Sequence, residues 1–428
     1  MSLASHSFVL LLLSSPLAPQ AVKPAPTAAP AAARPAPPAV DLAAIAALIE
    51  KGELGPAEQQ LRTILAASGN PAARDLLGVV LARQGQPDEA ERQFRQALAA
   101  NPALRGARQH LARLYLDQKR EAEAIVELRE AAALGPLERD LGLKLAAAEV
   151  AEGHPVLAER QLRSVAERYQ SVQALMDLAR LQTRQKETSA ALSTLRRALA
   201  IAPNSEDVMN AFAQVSLAVR APVPALQVLE PLARLCPSVA QYHYMLGIAL
   251  MQAGDIQAST DALKEAERLD PGRPFTLVAL GLVLNTQKLY GEAKPHLVRS
   301  LDLEPDNIEA IAALAEAEEG LGELPAAEMH AQRALARSGD NAIGNLALGM
   351  VRMKQERYKE ACEALAKALV ADPASPKAPY QLALAWARRG DEAQSKKYLE
   401  VYRQRVREID RLLEQVRAET GISGGMKR

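Results

Sequence analysis

The side chains that usually carry catalysis or bind metals are present in the sequence but are not grouped. Cys236 and Cys362 lie far apart and form no CxxC or Cys/His metal-binding spacing. The sequence contains no HExxH motif and no P-loop. The histidines are equally scattered, at His6, His110, His154, His243, His296 and His330. We therefore expect a protein that is not an enzyme and that holds no metal and no cofactor.

One stretch, YHYMLGIALM, has the residue types that bind an apolar ligand. Nearly every position in it is apolar, whereas a helix on a protein surface needs only one apolar stripe. Leu246 and Leu250 belong to one stripe. Tyr244, Ile248 and Met251 follow one another at intervals of four and three residues, which places them on a second ridge of the same helix. The second ridge needs a contact of its own.

The composition predicts that helices carry this ridge. The chain of 428 residues is 49% hydrophobic but only 3% aromatic, and Ala and Leu, two of the best helix formers, dominate. We therefore predict an all-α fold. Lys plus Arg and Asp plus Glu both number 51, so the net charge is zero. Because proteins that bind nucleic acid normally carry a basic excess, we expect no nucleic-acid partner.

The first 40 residues differ in composition from the rest of the chain. The apolar run from Phe8 to Leu13 precedes small residues and prolines, which predicts a secretory signal peptide over residues 1–21. The run is too short to cross a bilayer, so we expect no stable membrane span in the mature chain. Residues 22–40, rich in Pro and Ala, predict a semi-rigid linker. We expect an exported protein of the periplasm or cell envelope; a cytoplasmic protein is the alternative, because no Lys or Arg precedes the apolar run.

From residue 71 onward one pattern recurs, and prolines spaced 34 residues apart mark it at Pro203, Pro237, Pro271 and Pro305. A period of this size indicates a stacked repeat array. In most periods a Leu-Gly or Leu-Ala pair lies on a first helix, Ala and a large residue lie on a second helix, and proline ends the second helix. After a degenerate first repeat over residues 38–70, the predicted repeats start at residues 71, 105, 139, 172, 206, 240, 274, 308, 342 and 376.

This pattern resembles the tetratricopeptide repeat, which pairs two helices in 34 residues. One copy comprises Leu246, Gly247, Leu250, Leu263, Ala266 and Pro271. The resemblance implies a right-handed superhelical α-solenoid over residues 41–409, in which each repeat contacts mainly its neighbours. It also implies that first helices line the concave face, and that the partners are proteins or peptides.

If the first helices line a groove, the extra apolar ridge lines it too. The predicted groove residues are Tyr244, Ile248, Met251, Phe275, Val278, Leu282, Asn285, Met350, Met353, Tyr380 and Leu384. Such a mixture of methionines and aromatic residues is typical of surfaces that accept a peptide or helix with apolar anchors. Glu309, Glu316 and Glu319 interrupt the ridge, and we expect them to meet a basic residue of the ligand. The alternative is that neighbouring repeats or the C-terminus of the chain bury the ridge.

The last segment of the chain continues as a helical pattern beyond the repeats. Its apolar residues recur at intervals of four and three from Tyr402 to Val416, which is heptad-like but short. Two interpretations remain open. The helix caps the last repeat, with residues 410–420 as its extension, or it pairs weakly with a second copy as a homodimer. Residues 421–428 are predicted to be disordered.

Three functions follow as hypotheses. The first is a non-catalytic scaffold that binds proteins in the concave groove and assembles cell-envelope machinery. The second is a cytoplasmic adaptor, and the third is a regulatory arm that acts with a separate transferase. The assignment to envelope machinery rests on analogy with proteins of the same fold.

Overall fold

The computed structural model describes residues 41–420, and the chain forms 22 α-helices and no β-strand within them. The all-α prediction is confirmed. None of these helices combines the length and the apolar character needed to cross a bilayer. The predicted signal peptide (1–21), linker (22–40) and disordered tail (421–428) lie outside the described residues. The helices form two compact units, one up to Ala100 and one from Asn101 onward.

The first unit contains two helix pairs. Its helices are α1 (Leu42–Glu50), α2 (Leu54–Ala67), α3 (Pro71–Arg83) and α4 (Pro87–Ala100). Asn70 caps α3, because its side chain accepts hydrogen bonds from the backbone N–H groups of Ala72 and Ala73. Gly78 lets α3 and α4 approach closely, since a Cβ at this position would lie 2.5 Å from the Phe94 ring. The buried Phe94 fills the space between the two helices.

The second unit contains nine further pairs. Its helices are α5 (Arg105–Asp117), α6 (Glu121–Leu134), α7 (Arg139–Ala151), α8 (Pro155–Tyr169), α9 (Val172–Arg184), α10 (Thr188–Ile201), α11 (Glu206–Ala218), α12 (Pro222–Leu235), α13 (Ala240–Ala253), α14 (Ile256–Leu269), α15 (Pro274–Thr286), α16 (Tyr290–Leu303), α17 (Ile308–Leu321), α18 (Leu324–Arg337), α19 (Ala342–Lys354), α20 (Tyr358–Ala371), α21 (Lys377–Arg388) and α22 (Glu392–Thr420). From α3 on, the first helix of each pair begins where the sequence period places a repeat start, except that α21 begins one residue later, at Lys377.

The turn inside each helix pair has the same backbone conformation. One residue in it adopts a positive φ, as is common where a helix ends. The residues are Gly52, Gly85, Lys119, Gly153, Lys186, Arg220, Gly254, Lys288, Gly322, Glu356 and Gly390. Because glycine adopts this conformation without strain, the six glycines mark turns that the sequence specifies directly.

A glycine facing a leucine holds the two helices of several pairs together. A Cβ on Gly247 would lie 2.6 Å from Leu263, and a Cβ on Gly281 would lie 2.5 Å from Leu297. Both leucines are fully buried. Within the second unit each helix pair also packs on the next pair, so that this unit is a solenoid of helix pairs.

The final helix, α22, departs from this pattern in length and in contacts. It has 29 residues, whereas no other described helix exceeds 15. It packs on α21, and it also contacts α12 and α13. Val416 joins the large core cluster that includes Leu226 and Leu250, and it is only 2% exposed. The apolar stripe of α22 is therefore used within the chain, which favours the interpretation as a cap; pairing with a second copy remains a prediction.

Candidate functional site

The predicted groove residues lie on the first helices α13, α15, α19 and α21. The structure leaves Phe275, Tyr380 and Leu384 exposed, with Phe275 at 55%. The half-buried members are Tyr244, Ile248, Met251, Leu282, Met350 and Met353. Neighbouring repeats therefore do not seal this ridge completely, and part of each of these nine side chains can contact a ligand.

Two of the predicted groove residues are buried, and their assignment to the groove is wrong. Val278 is 3% exposed and Asn285 is 1% exposed. Asn285 donates a hydrogen bond from its Nδ2 to the carbonyl oxygen of Ala313, at 2.8 Å. Asn285 therefore faces the adjacent first helix α17, and Val278, seven residues earlier, lies on the same side of α15. They hold repeats together.

The accessible ridge residues fall into two groups. Tyr244, Ile248, Met251 and Leu282 pack against one core cluster, which is built mainly from α15 to α17. Met350 and Met353 pack against a second cluster around α20 and α21. Burial raises the pKa of the Tyr244 hydroxyl. The two groups are separated by the acidic side chains of α17.

The glutamates of α17 already have basic partners within the chain. Glu316 is 5% exposed, and its Oε1 lies 2.7 Å from Lys377 Nζ of α21. Glu319 is 2% exposed, and its Oε1 lies 2.9 Å from Lys354 Nζ of α19. The expectation that these two residues bind a basic residue of the ligand is therefore wrong, because their charges are compensated internally. Glu309 is exposed.

A third glutamate of α17 belongs to the same buried network. Glu318 Oε2 lies 2.7 Å from His330 Nδ1, and its Oε1 lies 3.6 Å from Lys294 Nζ. Burial raises the pKa of Glu319, and Lys354 opposes that change. These buried carboxylates link α17 to basic side chains of α16, α18, α19 and α21, so they do not form an open acidic surface.

A pocket of about 190 Å³ opens between the two groups of ridge residues. Met251 and Leu282 line it together with Leu346, and the Glu316–Lys377 pair lies in its wall. Small-molecule sites usually have volumes of about 300–1,000 Å³. The pocket therefore has room for one or two side chains of a ligand, and its apolar lining selects apolar ones.

Sequence reasoning missed Lys377 and Ile343 as lining residues of this pocket. Lys377 precedes Tyr380 and Leu384 at intervals of three and four residues, so the spacing that identified those two also marks Lys377. Ile343 lies at the start of α19, seven residues before Met350, so the same spacing also marks it.

One cluster in the described residues combines side chains of the types that bind metal ions. Side-chain ligand atoms of Glu149, Glu152 and His154 lie within 4.8 Å of one another. However, Arg129 Nε lies 2.8 Å from Glu149 Oε1, and Arg129 also donates to Glu152. His154 Nδ1 bonds to Glu149 Oε2, at 2.9 Å. Both carboxylates are thus paired with one guanidinium group, and the cluster is an ion-pair network within the chain.

Comparison with protein families gives matches along much of the chain. Models described as tetratricopeptide repeat match residues 71–114, 143–206, 225–274 and 346–405, which together make up about half of the sequence. No curated protein matches the chain.

Solved structures give distant likenesses. MamA from Desulfovibrio magneticus RS-1 is 21% identical, with a TM-score of 0.37, and the match covers 40% of this chain and 96% of MamA. A tetratricopeptide repeat protein from Parabacteroides merdae ATCC 43184 is 15% identical, with a TM-score of 0.47 and coverage of 58% and 98%. Yeast Tom70 is 12% identical, with a TM-score of 0.37 and coverage of 89% and 94%.

Proposed function

The chain belongs to the tetratricopeptide repeat family, and from this membership we propose that it is a non-catalytic scaffold that binds an apolar peptide or helix on the first helices of its later repeats. The observation that carries the proposal is the pocket between Met251, Leu282 and Leu346, flanked by accessible apolar side chains on both sides. An apolar ligand residue can enter the pocket while its neighbours contact Phe275 on one side and Leu384 on the other.

The free energy of binding requires a ligand that covers more of the surface than the pocket alone. Burying one large apolar side chain contributes about 1.5–3 kcal/mol. Association costs roughly 4–15 kcal/mol in lost freedom of motion. A single anchor therefore binds weakly, and useful affinity needs several ridge residues to be covered at once. The ligand we propose is a segment with apolar residues at repeated intervals.

Peptide selection tests this function directly. Random peptides displayed on phage are selected on the wild-type chain, and the selected peptides are then titrated against Met251→Asp and Leu384→Asp variants. Val370→Asp is the matched control, because Val370 is 80% exposed on the second helix α20 and points to the opposite side of that helix from Ala368 and Asp372, which line the pocket. Circular dichroism checks that each variant is folded.

The proposal expects affinity to fall about tenfold or more for the two ridge variants, since a charge in place of an apolar contact loses about 1.4 kcal/mol or more. The Val370→Asp variant keeps the wild-type affinity. Peptides that bind the ridge variants and the wild type equally well would place the binding surface elsewhere.

We further propose that the scaffold is exported and assembles cell-envelope proteins. The support is the apolar run followed by small residues at the N-terminus and the Pro/Ala-rich stretch after it. Cell fractionation together with N-terminal sequencing of the mature protein tests it. A chain that starts at Met1 in the cytoplasm would favour the adaptor, and a transferase that copurifies with the chain would favour the regulatory arm.

A further inference from the structure

The helix α22 crosses from the end of the solenoid to its middle. Near its start, the Tyr402 ring packs against Tyr380 of α21, with ring centroids 5.1 Å apart. Further along, Ile409 and Leu413 lie against Gly254, the residue that ends α13. The helix thus connects two first helices that are more than 100 residues apart in the sequence.

The last turns of α22 are held by further contacts to the middle repeats. Val416 is buried in the core cluster to which α12 contributes Leu226 and Leu229, and Leu412 packs against that cluster. Gln227 of α12 donates from its Nε2 to Glu419 Oε2, at 3.0 Å. The contact surface is amphipathic, with aliphatic side chains in the middle and a polar bond at the end.

The contacts of α22 lie beside both walls of the pocket. Tyr380 is one turn from Lys377, and Gly254 is one turn from Met251, and both Lys377 and Met251 line the pocket. Seven residues of α22 separate the contact at Tyr402 from the contact at Ile409, a distance of about 10 Å along a helix. A helix with its side chains is itself about 10–12 Å wide. A second helix that crossed the surface between these two contacts would be at least as wide as the space between them.

We propose that the C-terminal part of α22, residues 406–420, is a latch that occupies in cis the position of a ligand helix and limits access to the pocket. The inference rests on the proposed function, because it regulates the same surface. When the latch is released, Met251 and Leu282 become accessible to a ligand that is too wide to enter beside α22. Residues 392–405 stay packed on α21 as the hinge-side part of the helix.

The contacts of the latch are suited to reversible release. Of its aliphatic contact residues only Val416 is fully buried, and Ile409, Leu412 and Leu413 are half-buried. An exposed ion pair between Arg220 Nη1 and Asp372 Oδ1, 3.8 Å apart, bridges the same two parts of the solenoid. Such a pair contributes little, since both groups are solvated. Local opening of a segment held this way takes place without unfolding of the repeats.

Two double variants of the full-length chain test the latch. Ile409→Asp/Val416→Asp puts charges into the contact surface. Gln404→Asp/Ala418→Asp, the matched control, adds the same charge on exposed positions of the same helix. Both are made with and without Met251→Cys. Amide hydrogen exchange reports whether residues 406–420 open. Alkylation of Cys at position 251 by a maleimide attached to a helical peptide, a probe as wide as a ligand helix, reports access to the pocket after mass spectrometry.

We expect exchange in residues 406–420 and alkylation at position 251 both to be about tenfold faster in the contact variant than in the control, as local opening predicts. The buried thiol of Cys362 on α20 is the internal reference, and its alkylation rate stays constant. Faster exchange with unchanged alkylation at position 251 would overturn the proposal, and so would no change in exchange.

A double variant with milder substitutions separates destabilisation of the whole chain from release of the latch. If Cys362 also reacts faster in the Asp variant, both measurements are repeated on Ile409→Ala/Val416→Ala. Faster exchange with unchanged alkylation at position 251, or no change in exchange, would again overturn the proposal. No ligand takes part in this experiment, so a failure of the latch leaves the peptide selection result unaffected. In the same way, a selection that yields no peptides leaves these rates unaffected.

Discussion

Gly254 lies directly beneath Ile409, so that a Cβ placed on Gly254 would be 2.8 Å from Ile409 Cγ2. Gly254 follows the last residue of α13 and Ile409 lies in α22, and this contact fixes how closely the last helix approaches the middle of the solenoid. Gly254 also has a φ of +88°, a conformation that other residues adopt only with strain. Gly254 therefore has two roles: it forms the turn after α13, and it lets α22 pack closely against that turn.

Replacing Gly254 separates these two roles if a suitable control is used. Gly254→Ala is expected to cost about 1–2 kcal/mol for the left-handed backbone. It is also expected to loosen α22, because Ile409 must move. Gly322→Ala is the control, since Gly322 ends α17 with a φ of +83° and has no neighbour within 4 Å of an added Cβ. Denaturant titration should show a loss in both variants, and faster amide exchange in residues 406–420 only in Gly254→Ala. Equal amide exchange rates in residues 406–420 of the two variants would show that Gly254 does not determine how closely α22 packs.

The ion pair between Lys377 and Glu316 links α21 to α17 across 61 residues of sequence. Lys377→Met leaves the Glu316 carboxylate buried without its cation, and we expect a loss of about 3 kcal/mol, at the low end for breaking a buried pair because Lys377 remains partly solvated. The double variant Glu316→Gln/Lys377→Met should recover most of this loss, since no uncompensated charge is left. Thermal and denaturant unfolding measure both.

A solvent-exposed pair gives the control for that prediction. Lys396 and Glu392 lie 3.6 Å apart on α22, with side chains that are 78% and 87% exposed. Lys396→Met should change stability by less than about 0.5 kcal/mol. If Lys377→Met were equally mild, the Glu316 carboxylate would have access to water that the structure does not show.

Local features of the fold follow from the sequence, whereas contacts between distant repeats do not. The starts of the first helices follow from the 34-residue period and from caps such as Asn70. The contact of Gln227 with Glu419 joins residues 192 apart. It depends on small rotations between repeats that add up along the array, and no periodicity reveals their sum. The sequence therefore predicted a helix that either caps the repeats or pairs with a second copy, but it did not predict which repeats α22 would reach.

In the candidate site, too, some features follow from the sequence and others do not. The spacing of Met251 on its helix predicted an accessible ridge, and Met251 lines the pocket. The same spacing placed Asn285 in the groove, although Asn285 faces α17 and is buried. Which flank of a helix is covered depends on how close the next repeat lies, and that distance is set by small residues such as those of α17. The partner of Glu316 was likewise beyond reach, because Lys377 lies two repeats away.

Close approach of paired helices through glycine can be tested at Gly247. A Cβ there would meet Leu263 Cγ at 2.6 Å and the backbone oxygen of Ser259 at 3.3 Å. Gly247→Ala should therefore destabilise the chain by about 1–3 kcal/mol through overpacking. Gly291→Ala on α16, where nothing lies within 4 Å, should stabilise it by about 0.5 kcal/mol through the usual helix preference.

The overpacking explanation has its own check. Leu263→Ala alone leaves a cavity and costs about 2–5 kcal/mol. Combined with Gly247→Ala, it gives the added methyl group room, so the double variant should lose less than the two single variants together. Additive losses in denaturant titration would show that Gly247 acts through the backbone and not through Leu263.

The buried Glu319 predicts a pH dependence of a defined sign. Burial raises the pKa of its carboxyl above the ordinary value of 4.5, although Lys354 opposes the change. A group with a raised pKa in the folded state binds its proton more tightly there, so its contribution to stability falls as the pH rises above 4.5. The stability of Glu319→Gln relative to wild type should therefore increase with pH in denaturant titrations above that value. Below pH 4.5 the stability of Glu400→Gln relative to wild type should instead decrease as the pH rises, because the hydrogen bond from Arg407 lowers the pKa of Glu400. A relative stability of Glu319→Gln that stays constant with pH would mean that Lys354 compensates the burial of the carboxylate completely.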